Sequence, residues 1–300
     1  MQGGGTGQFA AVPLNLLGSP KEKAEYLVTG GWSKKASQEA KKFADVHVVY
    51  DGEKDGFTAV PPHLTYSPDA KYFYFCSNET IHGVEFNHLP VEVKDEDGPV
   101  LVADMSSNFL SRPVKVSDYG VIVAGAQKNA GIAGLVIAIV RKDLLKRAGP
   151  NVPAALSYAS TDAGKSIVNT PPTFAIYVSG LVFKWLLSQG GLKGIEAANL
   201  EKSKLFYDYI DSTHGFYCNK VHPEYRSRMN IPLRIHSNGA PNAELEALFI
   251  KEAAKEGLTS LGGHQSVGGL RVSLYNATPL VNVIALIEFM KRFHQAHHTQ

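Results

Sequence analysis

Apolar residues in the first 140 positions of this chain come in short, β-branched runs separated by polar, glycine-bearing or proline-bearing stretches. Runs at Tyr26–Thr29, Val46–Tyr50, Lys71–Ser77, Val100–Ala103, Val121–Ala124 and Leu135–Val140 have strand length and composition. Between and ahead of them, Gln8–Leu17 and Ser33–Phe43 carry helical spacing, with Ser33 as a candidate N-cap. Alternating strands and helices predict an α/β unit: a mostly parallel sheet with helices on both faces. A Pro-Pro start at Pro171 and Pro172 then opens a long apolar helix, expected to be largely buried, which stops at Gly190 and Gly191. Beyond it the order changes to helix (Gly194–Asp211), strands (Gly215–Asn219 and Met229–Ile235), helix (Ala243–Glu256), strand (Leu270–Tyr275) and helix (Leu280–His294). That order predicts a small α+β domain on an antiparallel sheet, dividing the chain into a large domain, 1–190, and a small one, 191–300.

In a parallel sheet, ligands collect at the strand C-terminal ends. Four residues fall just past such ends: Trp32, Thr80, Asp104 and Lys128. Lys128 stands in a short loop between two apolar runs, where partial desolvation would disfavour the ammonium and leave a nucleophilic amine; alternatively it only solubilises a turn. Asp104 follows a buried run and needs a cation or a donor. Trp32 serves either packing or ligand contact. Asn78, Glu79, Thr80 and His82 form either a turn or a binding edge.

Composition narrows the choices. With 44% hydrophobic and 19% charged residues the 300-residue chain suits a globular protein, and its net charge of +2 is spread without a basic cluster, so neither nucleic acid nor an anionic membrane is indicated. Cys76 and Cys218 are too few for a disulfide framework or a cysteine metal site, which makes a reducing, cytoplasmic setting the default. The longest apolar stretches, Ile132–Val140 and Phe174–Leu187, are too short or broken by Lys184 for a membrane span. His294, His297 and His298 have helical metal-ligand spacing, but on a terminal tail prone to fraying, and no metal site is expected.

The glycine-rich start, MQGGGTGQ, could present helix N–H groups to a phosphate or simply be flexible. A glycine loop normally follows an anchoring strand, so an element ahead of it is expected. In the second half, Arg271 lies in an apolar strand, where it meets either a ligand carboxylate or a structural salt-bridge partner. His264 is either a polar ligand contact or a turn residue.

Eight ordered blocks then carry a family resemblance: GGGTGQFAAVPLNL, VTGGWSKKA, NETIHGVEF, DMSSNFLS, GAQKNAGIAG, NTPPTFAIY, RSRMNIP and GGHQSVGGLRVSLYNA. From Gln2 to about Phe293 the chain resembles the phosphoserine aminotransferases, pyridoxal-phosphate enzymes of fold type I. The resemblance implies a homodimer with active sites at the subunit interface. It implies that Lys128 joins the cofactor covalently and shuttles a proton, and that Asp104 keeps the pyridine nitrogen protonated. Trp32 resembles the aromatic stacked on the ring, Thr80 the hydroxyl on the ring oxygen, and Gly5, Thr6 and Gln127 contacts to the cofactor phosphate. Asn169 and Thr170 resemble residues reaching the phosphate of the other subunit's cofactor. Arg271 resembles the arginine holding the substrate carboxylate, and His264 the histidine beside the substrate phosphate.

Two features depart from the family pattern. Gln265 stands where arginine is usual, and loss of a charge-assisted contact costs about 1.5–3 kcal/mol. The family also carries an N-terminal segment ahead of the glycines, with a His-Arg pair that binds substrate. The resemblance therefore implies transamination between L-glutamate and 3-phosphohydroxypyruvate in serine biosynthesis, with two alternatives: a shortened isoform of low turnover, or a related aminotransferase acting on another amino acid.

Overall fold

The computed structural model describes residues 1–91, 93 and 98–298. The N-terminal part comprises α1 (Gly4–Leu16), β1 (Lys23–Val28), α2 (Gly31–Ala40), β2 (Asp45–Asp51), β3 (Tyr72–Cys76), β4 (Val100–Asp104), β5 (Val121–Gly125) and β6 (Val136–Val140). After a short α3 (Tyr158–Ala163) come α4 (Thr173–Ser188) and α5 (Gly191–Ser212). The remainder is β7 (Tyr217–Cys218), β8 (Asn230–Ser237), β9 (Ala240–Pro241), α6 (Ala243–Lys255), β10 (Leu270–Ser273) and α7 (Leu280–His297).

The first sheet has the order β2-β1-β3-β4-β5-β6. All its pairs are parallel except β5 with β6, an antiparallel edge. Because β1, β3, β4 and β5 run the same way, their C-terminal ends share one edge. Side chains alternate between two cores. Tyr26, Tyr72, Tyr74, Val102 and Val123 face one layer, packed on Phe9 and Val12 of α1 and Ala36 and Ala40 of α2. Leu27, Phe73, Phe75, Leu101 and Ile122 face the other, packed on Val60, Val84, Phe86, Val221 and Tyr225. The second sheet, order β10-β8-β7 with β9 on β8, is antiparallel and buries its own core against α5, α6 and α7.

Several expectations are corrected. Helices cover only one face of the large sheet among the described residues; the other is filled by connecting segments, whose apolar residues are too scattered to show a period. The glycine run is not a loop before a helix at Gln8. Gly3 and Gly4, at φ 95° and 61°, make a left-handed turn and α1 winds from Gly4 onward. α2 begins at Gly31, so Trp32 is in its first turn and Ser33 is not the N-cap but the third helical residue, its Oγ accepting from the N–H of Gly30, the N-cap, at 3.2 Å. The helix expected to be largely buried is the largest departure. On α4 only Ala175, Ser179 and Leu186 are buried, whereas Phe174, Tyr177 and Leu187 are 69%, 63% and 74% exposed. A helix apolar all round reads as core, although it can equally face a partner. The terminal histidines pack on aromatic rings: His294 lies 4.6 Å from Phe216, and His297 lies 4.3 Å from Phe293.

Candidate active site

The shared strand edge gathers the chemistry. Asp104 closes β4 and is buried, its Oδ1 accepting from the Ser106 backbone N–H at 2.8 Å. Among the described residues, only the Tyr74 hydroxyl hydrogen-bonds its Oδ2, at a long 3.5 Å. Lys128 follows β5, half-buried, and its Nζ donates to Thr80 Oγ1 at 2.6 Å. Burial pushes the Lys128 ammonium below its ordinary value; Asp104, Cys76 and Glu79 oppose that shift and Arg271 adds to it. The amine thus feels the charges of Asp104, Glu79 and Arg271 together.

Trp32 reaches the site through Glu79. The fully buried Glu79 carboxylate accepts from Trp32 N (3.0 Å), Ser33 N (2.8 Å) and Ser33 Oγ (2.5 Å), so it caps α2 from outside the helix. Ser33 Oγ in turn accepts from Thr29 N at 2.9 Å. Burial pushes the Glu79 carboxyl up, against hydrogen bonds that favour its charged form. Gly30 is required by this approach, since a Cβ there would lie 2.4 Å from Glu79 Cδ. Glu79→Ala strands two helix N–H groups in the interior and is expected to cost about 2–4 kcal/mol, with Glu79→Gln costing less, measurable by chemical denaturation. The sequence had placed Glu79 on the strand-end loop without a role. The argument made for Asp104, a carboxylate just past a buried strand, extends to it, since only Ser77 and Asn78 separate it from the end of β3.

Other candidates sit at different distances from the amine. Gly5 comes close to the Asp104 turn: a Cβ on it would lie 3.9 Å from Ser106 Oγ, which itself accepts from Gly125 N at 3.0 Å. Thr6 follows on the same helical turn, and Gln127 is exposed beside Lys128. Arg271 on β10 has no carboxylate partner among the described residues, so the structural salt bridge considered for it is not formed there. His264 Nδ1 lies 2.8 Å from Ser266 Oγ in a local turn. That loop packs toward His82: Val267, Gly268 and His82 line one cavity of about 170 Å³. His82 accepts from Gly31 N at 3.2 Å, and burial and His264 pull it down to about 4. Asn169 and Thr170 make no hydrogen bond to Lys128 among the described residues. They lie exposed ahead of α4, where Gln2 Nε2 donates to Thr170 O at 2.9 Å.

Comparison with known proteins agrees with this geometry. The class-V aminotransferase family model matches residues 1–286. Phosphoserine aminotransferase 2, chloroplastic, of Arabidopsis thaliana is 51% identical over 99% of this chain and 69% of its own length. The chain belongs to the phosphoserine aminotransferases of class V. Another member, from Burkholderia ambifaria, is 50% identical over 98% of this chain and 80% of its own. Among solved structures, the phosphoserine aminotransferase of Bacillus circulans subsp. alkalophilus superposes with TM-score 0.93 at 40% identity, covering 99% of this chain and 80% of that one. A pyridoxal-phosphate-bound phosphoserine aminotransferase from Trichomonas vaginalis gives TM-score 0.87 at 40% identity, over 97% and 81%. The chain thus spans about two thirds to four fifths of the length of these family members. No helix of the described residues is long and apolar enough to cross a membrane.

Proposed function

We infer that this chain transfers the amino group of L-glutamate to 3-phosphohydroxypyruvate, giving O-phospho-L-serine and 2-oxoglutarate in serine biosynthesis, with pyridoxal phosphate as cofactor. The observation that carries the reading is a desolvated lysine amine held on Thr80, whose basicity Asp104 raises and Arg271 lowers. The residues fit the cofactor. Trp32 Nε1 is buried with no hydrogen-bond partner among the described residues, as in a site shaped for something more than the protein's own atoms. Asp104 keeps one oxygen only weakly engaged, and the N-terminal N–H groups of α1 have no side-chain cap.

When bound, the cofactor supplies an electron sink for the pair released at the substrate Cα. In this reading Lys128 holds the cofactor through its amine and moves the proton at the substrate Cα, which its lowered basicity favours. Asp104, Thr80 and Trp32 would hold the cofactor ring, Asp104 supplying the negative charge that would keep the ring nitrogen protonated, Thr80 a hydroxyl donor and Trp32 an apolar surface. Gly5, Thr6 and Gln127 hold the phosphate. Arg271 takes the substrate carboxylate in a bidentate pair, and His264 stands beside the substrate phosphate. Asn169 and Thr170, exposed ahead of α4, reach the site of a second copy. The exposed Phe174, Tyr177 and Leu187 of α4 support a homodimer, since apolar surface of this kind marks an interface. The division into domains 1–190 and 191–300 falls at the Gly190–Gly191 turn, and a cytoplasmic location accords with two free thiols.

The test is an absorbance titration of cofactor-loaded protein. Glutamate should bleach the visible band and phosphohydroxypyruvate restore it; a band that glutamate leaves unchanged sinks the reading in favour of a form that binds cofactor without turnover. Gln265, exposed and uncharged beside His264, favours a second reading with another amino-acid substrate. Equal rates with phosphoserine and serine as amino donors would support it.

A further inference from the structure

Lys202 on α5 is 3% exposed, and among the described residues it has no carboxylate partner. Its Nζ instead donates to three backbone carbonyls of one turn: Leu274 O at 3.2 Å, Tyr275 O at 3.1 Å and Thr278 O at 2.9 Å. A buried ammonium is costly, and a site that retains one without a counter-ion needs a reason. The turn supplies it. It continues directly from β10, which carries Arg271, and it contains Asn276. The Asn276 backbone N–H donates to Asn129 Oδ1 at 3.0 Å, and Asn129 is the residue after Lys128. The Asn276 side chain donates to Leu110 O at 2.9 Å and accepts from Asn199 Nδ2, also at 2.9 Å. Asn199 lies three positions before Lys202 on α5, so one face of that helix grips the turn at two points.

We propose that Lys202 is a positioning residue for the transamination: by clamping the Leu274–Thr278 turn it fixes the spacing between Arg271 and Lys128. Substrate must be held by its carboxylate at the first while its Cα meets the second, so a loosened turn misplaces substrate even with both groups intact. Burial draws the Lys202 ammonium down to about 8. No charged group on α5, on the turn or on α7 shifts it, and Tyr275, the ionisable residue of the turn itself, is pushed up by burial and stays neutral in this range. Its folded-state value lies below its ordinary value near 10.5, so the clamp is charged at neutral pH and slackens as pH rises through about 8. Arginine in its place would stay charged throughout.

This inference rests on the roles given to Arg271 and Lys128 above. The test is steady-state kinetics of the cofactor-loaded enzyme with glutamate, from about pH 7 to about pH 9.5. At neutral pH, Lys202→Met should raise the glutamate KM roughly tenfold while kcat falls less, and Asn276→Ala should do the same. The wild-type KM should climb above about pH 8 relative to that of Lys202→Arg, which should stay level. An unchanged KM in folded Lys202→Met, or superimposable pH profiles of wild type and Lys202→Arg, overturns the clamp. Should Lys202→Met fail to fold, the wild-type and Lys202→Arg profiles decide. A wild-type enzyme that does not turn over glutamate overturns the functional reading itself.

Discussion

Replacing Lys128 by alanine is expected to abolish transamination, lowering kcat by roughly 10⁴-fold or more, because one amine both holds the cofactor and moves the proton. The fold should survive. Among the described residues Lys128 donates a single side-chain hydrogen bond, to Thr80, and its ammonium is disfavoured by burial, so the variant relieves a desolvation cost as it loses a contact. Thermal denaturation within a few degrees of wild type, together with loss of the visible absorbance of bound cofactor, is the expected pair of results. A pure preparation that retained more than a trace of activity would remove Lys128 from its role.

Asp104→Asn is expected to leave cofactor bound and to lower kcat by roughly 10²–10³-fold, the range seen when one preorganised charge partner is lost. Asparagine preserves the shape of the side chain, and its oxygen can still accept from Ser106 N, so β4 should end as it does now. What disappears is the negative charge that would retain a proton on a ring nitrogen. A second consequence separates this account from a packing defect. Asp104 raises the Lys128 ammonium against the effect of burial, so without that charge the amine of the cofactor-free protein should titrate at lower pH than in wild type. The check is the pH dependence of amine-reagent labelling at Lys128. A near-normal kcat, or an unmoved labelling curve, would count against the electrostatic role.

The residues just past strand ends were legible because the signal is local: an apolar β-branched run sets the strand, and the polar residues within a few positions after it lie at the edge. Asp104, Thr80 and Lys128 were found this way, and the parallel register of β1, β3, β4 and β5 brings their ends together. Glu79 obeys the same rule, but its partners are backbone N–H groups of α2, 46 and 47 residues earlier, which no local pattern encodes. The clamp at Lys202 was invisible for the same reason. A lysine at a helical position reads as solvated, and its carbonyl partners lie more than 70 residues away. The exposure of α4 was misjudged because apolar composition shows that a surface must be covered without showing by what.

For this protein the sequence alone determined the α/β pattern, the order of its elements and the residue types at the strand ends, because hydrophobic period and the cost of burying charge act within a few residues. Tertiary structure decided what surrounds the Lys128 amine and how basic it is. The amine's hydrogen bond to Thr80, its desolvation and the electrostatic influence of Asp104, Glu79 and Arg271 all come from residues distant in sequence, and only folding brings their effects to one nitrogen.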